Sequence, residues 1–288
     1  MMRLDSAALA AAFQSACLSE LEALKPGNVH IFADGHGMVV QDFVRSAEAA
    51  AAEIARPDLD VGQRILAAVD ATWDAVGCNT NLGIVLLAAP LIHAGLHGGK
   101  STLHDSLQQV LQALRVADAE GAFRAIVRAA PAGLGARAQH DVHQAPQVTL
   151  LEAMREAELT DRIAWQYTHA YADIFDFGVC RYREALQRWK WSAWATTSVY
   201  LGLLARFPDT HIARKFGDAA AEQVRAQAAE HDRALLALEN PKNYQRALLD
   251  FDADLKRRNI NPGTSADLTV ATLLTVALEN MVTGRALS

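Results

Sequence analysis

The 288-residue chain is poor in cysteine, in turn-forming residues and in positive charge. Its three cysteines (Cys17, Cys78 and Cys180) are odd in number and far apart, and no Cys-x-x-Cys spacing occurs. This argues against a disulfide framework and a cysteine-built zinc site, and it fits a reduced, cytoplasmic setting. With 17 Gly and 8 Pro, the chain lacks the turns that a many-stranded β-sandwich requires. Its 21% charged and 51% hydrophobic residues exclude disorder. A formal charge of −6 argues against a general nucleic-acid binder. The longest apolar stretches, Ile84–Ile92 and Leu268–Leu278, fall short of the ~18 residues of a membrane span. Asp5, Glu20 and Glu22 do not suit a signal peptide. The expectation is a soluble cytoplasmic protein with no nucleic-acid and no membrane partner.

What is present is alanine and helical periodicity. Alanine is the best helix former. Three- and four-residue spacings predict helices over 5–24, 40–56, 60–76, 81–96, 102–117 and 118–130, then 160–177, 180–206, 209–238 and 241–259. The segment 81–96 is apolar nearly all round and predicts a buried central helix. Asp60, Ser101 or Thr102, and Asp118 are expected caps, and Thr149 with Glu152 forms a capping-box pattern. Pro26-Gly27 closes the first helix, and Asn261-Pro262-Gly263 precedes the last, for which Thr264 and Asp267 fit a capping box. With no alternating strand and no internal repeat, the chain reads as one all-α domain, 1–288, of roughly ten to twelve helices.

Four groups of residues carry candidate chemistry. Lys25-Pro26-Gly27-Asn28-Val29 is a rigid turn, followed by Asp34-Gly35-His36-Gly37-Met38. Glycines beside His36 admit close ligand approach, and His36 suits an acid or base near neutrality. A helix C-cap and a surface turn would explain the same residues. Gly77-Cys78-Asn79-Thr80-Asn81-Leu82-Gly83 sets amides ahead of an apolar helix, where backbone N–H groups bind anions or simply receive a cap. Lys256-Arg257-Arg258-Asn259 closes one helix, and Gly263-Thr264-Ser265 opens the next, which together make a phosphate seat or two ordinary helix ends. Asp267 is a candidate Mg²⁺ ligand. Asp173 and Asp176, spaced i,i+3, are predicted on one helix face, where they hold Mg²⁺ or are merely solvated.

Two patterns resemble other sites. Gly98-Gly99-Lys100-Ser101-Thr102 looks like the end of a P-loop, but position 94 is Ala94 where the motif needs Gly, so a helix cap is the better reading. His-Asp occurs three times (His104-Asp105, His140-Asp141 and His231-Asp232), a small excess over chance that keeps a metal phosphohydrolase of the HD type as an alternative.

Taken in order, the turns resemble the family of triphosphoribosyl-dephospho-CoA synthases. Lys25, Pro26, Gly27 and Val29 match its first motif, and Asn79, Thr80 and Gly83 its second. Asn259, Pro262, Gly263, Ser265, Ala266, Asp267 and Leu268 match its last, and Gly133-Leu134-Gly135-Ala136-Arg137 is similar to a family loop. The resemblance covers residues about 18–285. Departures are His30, where the family has Asp, the loss of a second acid before Met38, and Asn81-Leu82 in place of a His-Lys pair.

The resemblance implies a transferase that uses ATP, with Mg²⁺, to place a triphosphoribosyl group on 3′-dephospho-CoA, releasing adenine. It implies His36 as base, Asn79 or Asn28 as donor to the leaving adenine, and Lys25 and Arg137 on the triphosphate. Pro26, Gly27, Gly35, Thr80, Gly83, Asn259, Gly263, Thr264 and Ser265 would contact substrate. Mg²⁺ would sit on Asp267 or on Asp173 and Asp176. The departures leave open a related ribosyl transfer in a one-carbon, pterin-linked pathway. A non-catalytic helical nucleotide-binding protein is a further alternative. A homodimer is compatible with all of these readings.

Overall fold

The computed structural model describes residues 4–35, 37–98, 102–130 and 142–284. Among them the secondary structure is helical, with no strand and two isolated β-bridges. Fourteen α-helices follow in order: α1 Ser6–Glu22, α2 Val40–Ile54, α3 Val61–Val76, α4 Leu82–His97, α5 Leu103–Gln112, α6 Val116–Ala129 and α7 Leu150–Ala157. The second half adds α8 Arg162–Thr168, α9 Val179–Trp189, α10 Ser192–Arg206, α11 Thr210–Phe216, α12 Asp218–Leu236, α13 Gln245–Arg257 and α14 Gly263–Thr283. A π-helical turn, Asp173–Gly178, precedes α9, and a 3₁₀ turn, Pro241–Tyr244, precedes α13.

The all-α expectation holds, and the helix count exceeds ten to twelve for local reasons. The run 209–238 divides at Gly217, whose φ of +84° ends α11. The run 180–206 divides at Lys190, which takes the left-handed conformation at φ +63°. The run 160–177 breaks after Thr168, with Ala170 and Tyr171 both at positive φ. Hydrophobic periodicity continues through each of these breaks, so it does not reveal them.

The chain divides into two compact units. The first holds residues 1–16, 42–172 and 274–288, and the second residues 17–41 and 173–273. In the first unit α4 is buried nearly all round, as its composition predicts. Pro90 lies inside α4 and has no N–H for the Leu86 carbonyl one turn back. The Tyr167 hydroxyl donates to that carbonyl at 2.6 Å, and the Tyr171 hydroxyl donates to Leu87 O at 3.0 Å. Tyr167 thus satisfies the carbonyl that the proline leaves open, and Tyr171 adds a bond to the next one.

The expected caps hold at Asp60, which forms a capping box with Gln63, at Thr102, which accepts from Asp105 N at 3.1 Å, and at Thr149 with Glu152. Asp118 is not the cap of α6. It is the third residue of that helix, and it accepts from Arg115 N at 2.9 Å and from Gly62 N at 2.9 Å.

In the second unit, α10 and α12 pack together with α9, α11 and α13. Their core includes Tyr200, Leu204, Val224, Leu235, Leu248 and Leu255, and it reaches Leu24 and Ile260 in the turns. The turns are therefore anchored by apolar residues on either side. Among the described residues one helix, Gly263–Thr283, has the length and hydropathy of a membrane span, but 61% of its apolar window is buried inside the protein.

Candidate active site

Two of the sequence-predicted turns meet in the second unit. Lys25 O accepts from Asn28 N at 3.0 Å, closing a β-turn around Pro26 and Gly27. Gly27 has φ +83°, and a Cβ there would stand 2.8 Å from Pro262 Cδ and 2.9 Å from Leu255 Cδ1. Glycine is thus required for both conformation and contact. The Tyr200 hydroxyl holds Pro26 O at 2.7 Å, and Gly27 N donates to Asp252 Oδ1 at 2.8 Å.

Polar side chains run through this junction. Lys25 is fully buried; Nζ pairs with Glu20 and donates to Asn28 Oδ1 at 3.1 Å. Asn28 Nδ2 in turn donates to Asn261 Oδ1 at 2.8 Å. Burial pushes the Lys25 ammonium below its ordinary range, with Glu20 working the other way, and burial also pushes the Glu20 carboxyl up. Lys25, expected on the triphosphate, is thus enclosed by protein groups. It holds Asn28 from within.

A second group flanks the first. His30 is buried, with Nδ1 accepting from Phe32 N at 3.3 Å and Nε2 lying 3.3 Å from Asp252 Oδ1. Nε2 lacks the alignment of a hydrogen bond, and it is a buried polar atom without a well-formed partner. Burial holds the imidazole below its usual pKa, against the pull of Asp252. Burial works against the charged form of Asp252 too, but His30, the Gly27 N–H and Lys256 bring its pKa below the ordinary carboxylate value. Lys256 Nζ lies 3.1 Å from Asp252 Oδ2 and donates to Ala33 O at 3.0 Å, with its side chain 15% exposed.

The start of α14 is fixed by Asp209. This buried carboxylate accepts from His211 N and Ile212 N through Oδ1, and from Ser265 N and Ser265 Oγ, each at 2.8 Å, through Oδ2. Burial pushes the Asp209 carboxyl up in spite of these bonds. Thr264 is not a capping residue as expected, because α14 already begins at Gly263. Its Oγ1 lies 3.0 Å from Thr210 Oγ1 and accepts from His211 N at 3.2 Å. Ser265 and Thr264 are thus engaged by protein groups. Gly263 and Asp267 are half-buried on the same turn. Asn259 is exposed and takes φ +55° just past α13, where Ile260 N donates to Leu255 O at 2.9 Å. Its side-chain type thus serves a left-handed helix end. Gly35 lies against Lys256, whose Cε would be 3.2 Å from a Cβ at that position.

The middle motif belongs to the first unit. Asn79 Oδ1 accepts from Leu82 N at 3.1 Å, Thr80 Oγ1 donates to Ser46 Oγ at 2.6 Å, and Asn81 Nδ2 donates to Thr72 Oγ1 at 3.0 Å. Asn79 thus works as a turn and cap for α4, and Gly83 is half-buried in the first turn of that helix. Asp173 and Asp176 do not share a face. They lie in a π-helical turn, whose wider winding separates i and i+3; Asp173 is buried and Asp176 exposed. Among the described residues no three His, Cys, Asp or Glu side chains are grouped to hold a metal. His36 and Arg137 lie outside the described residues.

Among the described residues, the His-Asp pairs at 104–105 and 231–232 form no metal centre. The His104 Nε2 atom lies 2.8 Å from Ala170 O, and Asp105 belongs to the Thr102 capping box. His231 stacks on Phe251 with ring centroids 4.4 Å apart, and Asp232 pairs with Arg181. His140 and Asp141 lie outside the described residues.

Three site residues escaped the sequence reading: His30, Asp252 and Asp209. The i,i+4 spacing of Asp252 and Lys256 was visible as a helix pair, and Asp209 stood at a predicted helix start. His30 stood out only as a departure from the family pattern.

The family model described as CitG: ATP:dephospho-CoA triphosphoribosyl transferase matches residues 6–285. A crystal structure from Archaeoglobus fulgidus, provisionally described as a triphosphoribosyl-dephospho-CoA synthase, is similar in fold. Its TM-score is 0.64 at 21% identity, over 81% of this chain and 97% of that one. No curated protein matches the sequence.

Proposed function

The chain belongs to the CitG family of ATP:dephospho-CoA triphosphoribosyl transferases, and from that premise we propose that its reaction is organised by the turn junction of the second unit. The chain is an enzyme that transfers the triphosphoribosyl group of ATP to dephospho-CoA. In that reaction an acceptor hydroxyl oxygen bonds to the anomeric carbon of ATP while the bond from that carbon to adenine breaks. The hydroxyl proton passes to a base, and the departing adenine takes up a proton. By analogy with glycosyl transfer, the transition state carries oxocarbenium character. Positioning and charge compensation then matter more than a covalent step.

The observation that carries this reading is the meeting of two family-like turns around Asn28 and Asn261, beside a partly exposed Lys256. We assign Lys256 to the triphosphate, since it combines a cation with access to solvent. Lys25, Asn28 and Asn261 are positioning residues that fix the turn bearing Gly27. His36 is retained from the sequence as the proton acceptor. His30 is not assigned that role, because its Nδ1 accepts from the backbone and its Nε2 faces Asp252.

A protein-built metal cage does not fit these residues. Mg²⁺ on ATP ordinarily keeps its waters and takes one or two carboxylates beside the phosphates. Asp267, half-buried on the first turn of α14, fits that lesser role. The ion would offset the phosphate charge, a compensation that a chain of formal charge −6 supplies only locally. We place the reaction in the cytoplasm, in keeping with three cysteines that form no disulfide. Incubating the protein with ATP, Mg²⁺ and dephospho-CoA tests the reading. Free adenine is expected without release of phosphate, whereas phosphate without adenine would support the phosphohydrolase instead.

A further inference from the structure

Residues 30–33 form a tight hairpin turn that points apolar groups into solvent. His30 N donates to Ala33 O at 3.3 Å and Ala33 N to His30 O at 2.9 Å, while Met38 N donates to Gly35 O at 3.0 Å. Ile31 N donates to Leu21 O at 3.0 Å, Phe32 N to His30 Nδ1 at 3.3 Å, and Lys256 Nζ to Ala33 O at 3.0 Å. The backbone is thus tied down at nearly every step between 30 and 33. Yet Ile31, Phe32 and Val39 make up three of the eight large exposed hydrophobics among the described residues, and Phe32 is 52% exposed. Its ring is tilted 57° to that of His30, with centroids 5.8 Å apart, so the imidazole does not cover the phenyl face. Neighbouring apolar side chains exposed on a fixed backbone make a contact surface.

We propose that Phe32 is the platform on which the adenine ring of ATP stacks, with Lys256 taking a phosphate of the same nucleotide. The inference rests on the transferase reading above, in which both substrates are adenine nucleotides. The occupant follows from what lies side by side: an aromatic face on residue 32, and a partly exposed ammonium bound to the carbonyl of residue 33. A base has a π-face and a nucleotide has anionic oxygens, so one ligand satisfies both. Stacking on an aromatic side chain needs no base-edge hydrogen bonds, and the hairpin offers none through Phe32.

The test is calorimetric titration of ATP and of dephospho-CoA, separately, into wild type, Phe32→Ala and Phe32→Tyr, with inorganic triphosphate as a ring-free probe. Phe32→Ala is expected to leave dephospho-CoA unchanged and to weaken ATP about ten-fold or more. Phe32→Tyr, which keeps the ring, should restore it, and triphosphate should bind all three proteins alike. Weaker binding of dephospho-CoA with ATP unchanged would overturn the inference, since Lys256 and Phe32 would then not serve one ATP molecule. Equal binding of both nucleotides to wild type and Phe32→Ala would overturn the inference while leaving adenine release by wild type intact. An equal loss for triphosphate would overturn it too, since the effect would then be on the cation. A change of oligomeric state in Phe32→Ala, with nucleotide binding unaltered, would assign the patch to self-association instead. If wild type binds neither nucleotide, the transferase reading falls and the inference with it.

Discussion

Asn28 Nδ2 donates to Asn261 Oδ1 at 2.8 Å, joining two turns that lie 233 residues apart in the chain. Both side chains are buried, and Asn28 also accepts from the buried Lys25. Loss of either amide leaves a buried polar group without its partner, at a cost of about 1–3 kcal/mol. Asn28→Ala and Asn261→Ala are each expected to lower stability by that amount and to reduce turnover. Chemical denaturation of the double variant should show the two losses to be less than additive, because they share one bond. Full additivity would mean that the bond contributes nothing.

Gly27 and Gly37 make a matched pair. Both have positive φ, +83° and +75°, but a Cβ at residue 27 would collide with Pro262 and Leu255, whereas at residue 37 it would meet nothing within 4 Å. The left-handed backbone costs alanine about 1–2 kcal/mol at either position. Gly27→Ala is expected to lose clearly more than Gly37→Ala in thermal melts, and to lose activity as the turn is pushed away from Pro262. Equal losses would show that the close approach does not matter.

Lys256 is the cation assigned to the triphosphate. Lys256→Met keeps the stem and removes the charge, with an expected rise in KM for ATP of about ten-fold to a hundred-fold, as for a lost charged hydrogen bond. Lys256→Arg should recover part of it. A fall in kcat with KM unchanged would place Lys256 elsewhere in the mechanism. Some loss of stability is also expected, since Asp252 loses one of its partners.

His30 and Asp252 contribute to the response to acid, alongside His93 and His231, which burial also holds below the usual imidazole value. The His30 pKa is lowered in the fold, so below the usual imidazole value of about 6.5 the unfolded chain takes up a proton that the folded chain refuses. Stability is therefore expected to fall as pH drops through 6.5. Asp252, also lowered, adds its own loss only below the ordinary carboxylate value of 3.8. Melting curves of His30→Gln between pH 7 and 5 should have a shallower slope than wild type. An identical slope would rule out a contribution from His30.

The helices were largely legible, because apolar spacing and capping residues are local signals; Thr149 with Glu152 and the buried α4 are clear instances. The breaks at Lys190 and Gly217 were not, because backbone conformation changed there without a change in hydrophobic pattern. In the site, the two turns were visible as motifs, but their meeting was not. Nothing in the sequence shows that Gly27 touches Pro262, or that Lys25 is buried against Glu20 instead of facing a ligand. Asp173 and Asp176 misled because i,i+3 spacing implies one face only in an α-helix, and theirs is a π turn. Asn79 carried a capping role that its residue type had always allowed.

The most direct measurement is product analysis by mass spectrometry after incubation of the protein with ATP, Mg²⁺ and dephospho-CoA. The account predicts a new species with the mass of dephospho-CoA plus one triphosphoribosyl group, formed in equal amount with free adenine and dependent on both substrates. A folded protein that yields neither species with dephospho-CoA, or that releases phosphate in place of adenine, would contradict it.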